Sequence, residues 1–114
     1  MINFNGIIVL KEKACLTTNN RAFNYGDALF ETIKVTNSNV IFAEDHYFRL
    51  MASMRMLRMQ IPMSFTQEFF MNEILKTVKA NNLTAARVRF TVFRDDGGLY
   101  LPDTNKINFI IKAN

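Results

Sequence analysis

The hydrophobic period of this chain changes twice, and that change constrains the fold more than any other feature. From Ala86 to Phe93 apolar and polar residues alternate, with Val88, Phe90 and Val92 on one side and Arg87, Arg89 and Thr91 on the other. A period of two is that of a strand with one buried face. Leu29 to Val35 also has strand composition. Between these segments the spacing becomes helical. Glu44 to Met59 sets Tyr47, Leu50, Met51, Met54 and Leu57 on one stripe, the pattern of a helix resting on a core. Glu44 and Asp45 suit the positive end of the helix dipole, and Pro62 bars continuation. Ser64 and Gln67 have the spacing of a capping box. They predict a second helix from Phe65 or Thr66 to about Asn81, burying Phe70, Ile74, Leu75 and Val78.

Tight turns join the other strands. Asn5-Gly6 is a hairpin dipeptide between Ile2–Phe4 and Ile7–Lys11. Asn37-Ser38-Asn39 turns Leu29–Val35 back into Val40–Phe42. Asp96-Gly97-Gly98 follows the arginine-bearing strand, and Lys106–Ile111 is a last strand. Thr17–Arg21 reads as loop, and Phe23–Asp27 as turn residues among aromatics. Hairpins imply antiparallel pairing. The expected fold class is therefore α+β, an antiparallel sheet with two helices packed on one face.

Composition narrows the classes further. The 114 residues make one domain, and 49% apolar against 21% charged residues is globular composition. A single cysteine, Cys15, excludes an internal disulfide framework and reads as structural. One His and one Cys leave no all-protein zinc site, so no metal is expected. No apolar run approaches the ~20 residues of a membrane span, and no leader pattern opens the chain. No membrane partner is expected, and the expected compartment is the cytoplasm. The net charge of +4 suits an anionic ligand. Charge and clustered arginines alone would support a nucleic-acid partner, and none is expected. Neither a Gly-rich phosphate loop nor a serine elbow is present.

Several residues stand out chemically. Glu31 shares strand parity with Leu29, Ile33 and Val35, so its carboxylate needs a partner or a place at the sheet edge. Arg49 flanks the apolar stripe, where a guanidinium either binds an anion or snorkels to the surface. His46, at the start of the helix, reads as a surface or capping residue. Arg87 and Arg89 share the open face of their strand, which makes either an anion site or a solvated surface. Arg94 lies beside Asp95 and Asp96, and a local ion pair explains it. Met56 and Met59 lie off the main stripe and are candidates for contact surface.

Three segments in register carry a resemblance. Arg21-Ala22-Phe23-Asn24-Tyr25-Gly26-Asp27-Ala28-Leu29-Phe30-Glu31-Thr32-Ile33-Lys34-Val35 resembles the opening motif of the class IV aminotransferases. These are the fold-type IV enzymes that use pyridoxal 5′-phosphate (PLP). Phe42-x-x-x-His46-x-x-Arg49-Leu50-x-x-Ser53 is similar to the family's helix motif. Val88-Arg89-Phe90-Thr91-Val92-Phe93-Arg94, followed by Gly97-Gly98, is similar to its later strand and turn. The family includes branched-chain aminotransferases, D-amino acid aminotransferases and aminodeoxychorismate lyases.

The resemblance implies that residues 1–114 are the smaller N-terminal domain of a two-domain enzyme, inactive alone. The Schiff-base lysine then lies in a C-terminal domain outside this sequence, and no catalytic residue is expected within it. PLP is the implied cofactor, an amino acid and a 2-oxo acid are the implied substrates, and a homodimer is the implied assembly. Arg49 is the implied contact to the cofactor phosphate. Tyr25, Phe30, Arg89 and Arg94 are the implied substrate contacts, with Arg89 at a carboxylate. The implied reaction is amino-group transfer. The alternatives are a lyase-type elimination that releases pyruvate and a non-catalytic binding or interaction domain.

Overall fold

The computed structural model describes residues 1–14 and 16–114. Cys15, read above as structural, lies outside them. The elements run β1 (Ile2–Phe4), β2 (Ile7–Val9), α1 (Arg21–Tyr25), β3 (Ala28–Thr36), β4 (Asn39–Val40), α2 (Ala43–Met56), α3 (Gln67–Ala80), β5 (Ala85–Arg94) and β6 (Ile107–Ala113). A 3₁₀ turn at Lys11–Lys13 ends the first hairpin, where a longer strand was expected. The six strands form one sheet in the order β2-β1-β6-β5-β3-β4. Every neighbouring pair is antiparallel. The α+β class and the pairing follow the sequence reading.

Register explains why one face is covered. Ile33 pairs with Val88, Glu31 with Phe90 and Leu29 with Val92. Across the next strand Phe90 meets Ile111 and Val92 meets Phe109. These residues share one face because side chains alternate along a strand. α2 lies over β3, while α3 lies over β5 and β6. Leu50 and Met54 of α2 and Phe70 and Ile74 of α3 are fully buried against that face. Phe70 stacks on Phe90 at 5.0 Å between centroids, and Phe90 on Phe109 at 5.4 Å. Burying one such ring contributes about 1.5–3 kcal/mol. The opposite face exposes Phe30, Thr32, Lys34, Arg87, Arg89 and Lys112.

Several local expectations change. Residues 21–25 form α1 rather than loop and turn. Asn20 caps it, accepting from the Phe23 amide at 3.2 Å, and Gly26 ends it with φ +65°. Both signals were in the sequence, but five residues give too little periodicity to notice. α3 is capped by Thr66, whose hydroxyl accepts from the Phe69 amide at 3.1 Å. The Ser64–Gln67 capping box therefore does not form. α2 stops at Met56. Arg58 turns left-handed with φ +57°, and the Met59 amide reaches back to the Met54 carbonyl at 2.9 Å. That turn folds Met59 into the core at 5% exposure, while Met56 stays 82% exposed. Met59 is thus core, not contact surface. Its apolar character had extended the expected helix past its true end.

Candidate anion-binding site

Glu31 sits where β3 has no neighbour on one side, because β4 pairs only with Val35 and Thr36. Its side chain is 9% exposed and faces α2. The first two turns of α2 bring His46 and Arg49, three residues apart, onto the side that meets it. Arg49 donates Nε to Oε2 at 2.9 Å and Nη2 to Oε1 at 2.7 Å. His46 Nδ1 lies 2.6 Å from the same Oε1. Burial pushes the Glu31 carboxyl up, but the hydrogen bonds and charges of Arg49 and His46 outweigh it and hold it below its usual range. The bond to Glu31 in turn keeps Arg49 more firmly charged. Arg49 remains 63% exposed, and among the described residues its Nη1 has no partner. The result is an oriented, open guanidinium. His46 is a partner of Glu31 rather than a surface or capping residue.

On the open face Arg89 and Phe30 come together. The Arg89 guanidinium carbon stands 3.7 Å from the Phe30 ring centroid, a cation–π contact. Both side chains are exposed. Arg89 also lines a cleft of about 450 Å³ with Lys11, Thr32, Arg87 and Lys112. Four cations without an acidic side chain among the lining residues make this cleft attractive to anions.

Tyr25 ends α1 and is 44% exposed. The guanidinium of Arg21 lies 4.6 Å from its ring centroid. Arg21 and Arg94 share the carboxylate of Asp27, Arg21 through Oδ2 at 2.8 Å and Arg94 through Oδ1. Burial raises the Asp27 carboxyl, and the two arginines more than reverse that. Arg94 is only 6% exposed and also bonds the Leu57 carbonyl. Its ion pair is with Asp27, not with Asp95 or Asp96.

The structure therefore joins Phe30 to Arg89, keeps Tyr25 with Arg21, and turns Arg94 inward. It places Arg49 on the helix side of the sheet and Arg89 on the other side. Glu31, Asp27 and Arg21 were given no part in the site from sequence. Glu31's parity was the one visible signal, and it asked for such a partner. Among the described residues no three His, Cys, Asp or Glu side chains gather as metal ligands. Among the described residues no helix is long and apolar enough to cross a membrane.

An antiparallel sheet with helices on one face and open arginines on both sides defines an α+β domain suited to binding anions. The chain belongs to amino-transferase class IV, whose family model matches residues 28–114. A branched-chain-amino-acid aminotransferase of Salmonella typhimurium is 33% identical over 100 residues, covering 84% of this chain and 32% of that protein. The crystal structure of the Escherichia coli branched-chain amino acid aminotransferase superposes with a TM-score of 0.89 at 28% identity, covering 99% of this chain and 38% of that one. A T.th. branched-chain amino acid aminotransferase, complexed with N-(5′-phosphopyridoxyl)-L-glutamate, superposes with a TM-score of 0.86 at 26% identity, covering 98% of this chain and 39% of that one. The chain spans about a third of the length of the curated relatives it matches.

Proposed function

We propose that this chain supplies the phosphate and carboxylate contacts of a PLP-dependent class IV aminotransferase acting on an amino acid and a 2-oxo acid. The observation that carries the reading is Arg49, fixed through Nε and Nη2 by Glu31 with Nη1 open. A phosphate accepts charge-assisted hydrogen bonds from such a group, so the residues present fit the anionic end of PLP. When bound, PLP supplies the electron sink that lets an amino group pass between the two substrates. Arg49 binds the phosphate, and Glu31 holds its guanidinium charged and oriented. On the open face Arg89, resting on Phe30, binds a substrate carboxylate, and Tyr25 lines the substrate side. Arg87 and Lys112 raise the positive potential of that cleft.

A second domain with the Schiff-base lysine, a homodimer and a cytoplasmic location belong to the same proposal, as does inactivity of residues 1–114 alone. Because Arg49 and Arg89 face opposite sides of the sheet, a second copy offers one way to present both to one ligand. The branched-chain names of the relatives favour amino transfer over pyruvate-releasing elimination. The test is PLP binding by the chain expressed with its native continuation. Bound cofactor is expected to give the protein a visible absorption band, and Arg49→Ala to lose it on dialysis. No such band in the native protein, or equal retention in the variant, defeats the reading.

A further inference from the structure

The loop between β5 and β6, residues 95–106, carries at its tip three apolar side chains that none of the described residues covers. Leu99, Tyr100 and Leu101 are 80%, 84% and 77% exposed. The tip is tight. Gly98 has φ +78°, and a Cβ there would lie 2.2 Å from the Leu101 carbonyl oxygen. Its anchor comes from α1. Arg21 is 2% exposed. It donates Nη1 to the carbonyls of Gly97 at 3.1 Å and Leu99 at 2.6 Å, and Nη2 to that of Tyr100 at 3.2 Å. Its Nε is held by Asp27 at 2.8 Å. The face of the same guanidinium lies against Tyr25. One planar cation thus engages three loop carbonyls, a carboxylate and an aromatic ring, a set that a lysine's point charge cannot match. Tyr25 and Asn24 on one side and Asp96–Leu99 on the other line a cleft of about 430 Å³. Arg21 ties the two walls together from beneath.

We propose that Arg21 is a positioning residue that fixes the 95–106 loop and Tyr25 as one substrate-side wall. The clamp rests on geometry alone, and the word substrate rests on the enzymatic reading above. Two measurements on the chain expressed with its native continuation test it. In Arg21→Gln, chymotryptic cleavage at Tyr100 rises about tenfold beyond any change in global unfolding. Arg21→Lys, which keeps a charge beside Asp27 but loses the fork, falls between. In the PLP-loaded protein KM for the amino acid follows the same order while cofactor affinity holds. Cleavage at the native rate in Arg21→Gln overturns the proposal, and so does a loosened loop with unchanged KM. If Arg21→Gln does not fold, Arg21→Lys carries both readouts. A native protein that binds no PLP defeats the enzymatic reading instead, and the cleavage rates then decide the clamp.

Discussion

A carboxylate on the buried face of a strand is costly unless a cation reaches it. Glu31 is reached by Arg49 and His46 because α2 crosses beside the free edge of β3. Removing the charge leaves the geometry but loses the charge-assisted bonds. Glu31→Gln is expected to lower the urea midpoint modestly, since Arg49 is solvent-screened, and to weaken PLP retention as Arg49 loses its orientation. Arg89 stands differently. It rests on an aromatic ring, has no carboxylate partner among the described residues, and its strand partners are neutral Thr32 and cationic Lys112. Arg89→Ala is expected to raise KM for carboxylate substrates while the fold and PLP binding persist. Steady-state kinetics beside a thermal melt separates that result from a structural role. The need for a partner was legible at Glu31 from parity alone. The identity of the partner was not, because it depends on how a helix fifteen residues on lies against the strand.

Strands and helices were read correctly where the hydrophobic period ran long, and misread where a cap decided the boundary. β5 alternates from Ala85 to Val92, where its two faces are as expected, and then buries both Phe93 and Arg94. α2 ends by a turn that no periodicity announces, with Arg58 left-handed where glycine is commonest. A side chain strains in that conformation, while glycine there loses more freedom on folding. The balance favours glycine, so Arg58→Gly is expected to stabilise the fold by about 0.5–1 kcal/mol in chemical denaturation. At α3 the expected cap, Ser64, lies two residues short of the helix. Thr66 takes that place, and its hydroxyl accepts from the Phe69 amide.

Among the described residues two carboxylates are held by arginine, Asp27 beside α1 and Glu31 beside α2. Both have folded pKa values below the ordinary 3.8 and 4.5. A depressed carboxyl contributes stability that is fully present above its unfolded pKa and lost as pH falls through its folded pKa. Stability is therefore expected to drop on acidification below about pH 4.5. The double variant Asp27→Asn, Glu31→Gln should show a flatter acid limb in pH-dependent unfolding. A slope equal to that of the native chain would remove both pairs from the account.

The sequence by itself determined the class of fold and its family. Alternation and helical spacing are local consequences of which residues must leave water, and the motifs stand in register along one chain. Only the tertiary structure decided which arginines stay open. Six strands in the order β2-β1-β6-β5-β3-β4 bring Arg94 under Asp27 and send Arg89 to the bare face. Whether a guanidinium is spent on a neighbour or left for a ligand depends on carboxylates and carbonyls far away in sequence. Spacing along the chain carries no record of those contacts.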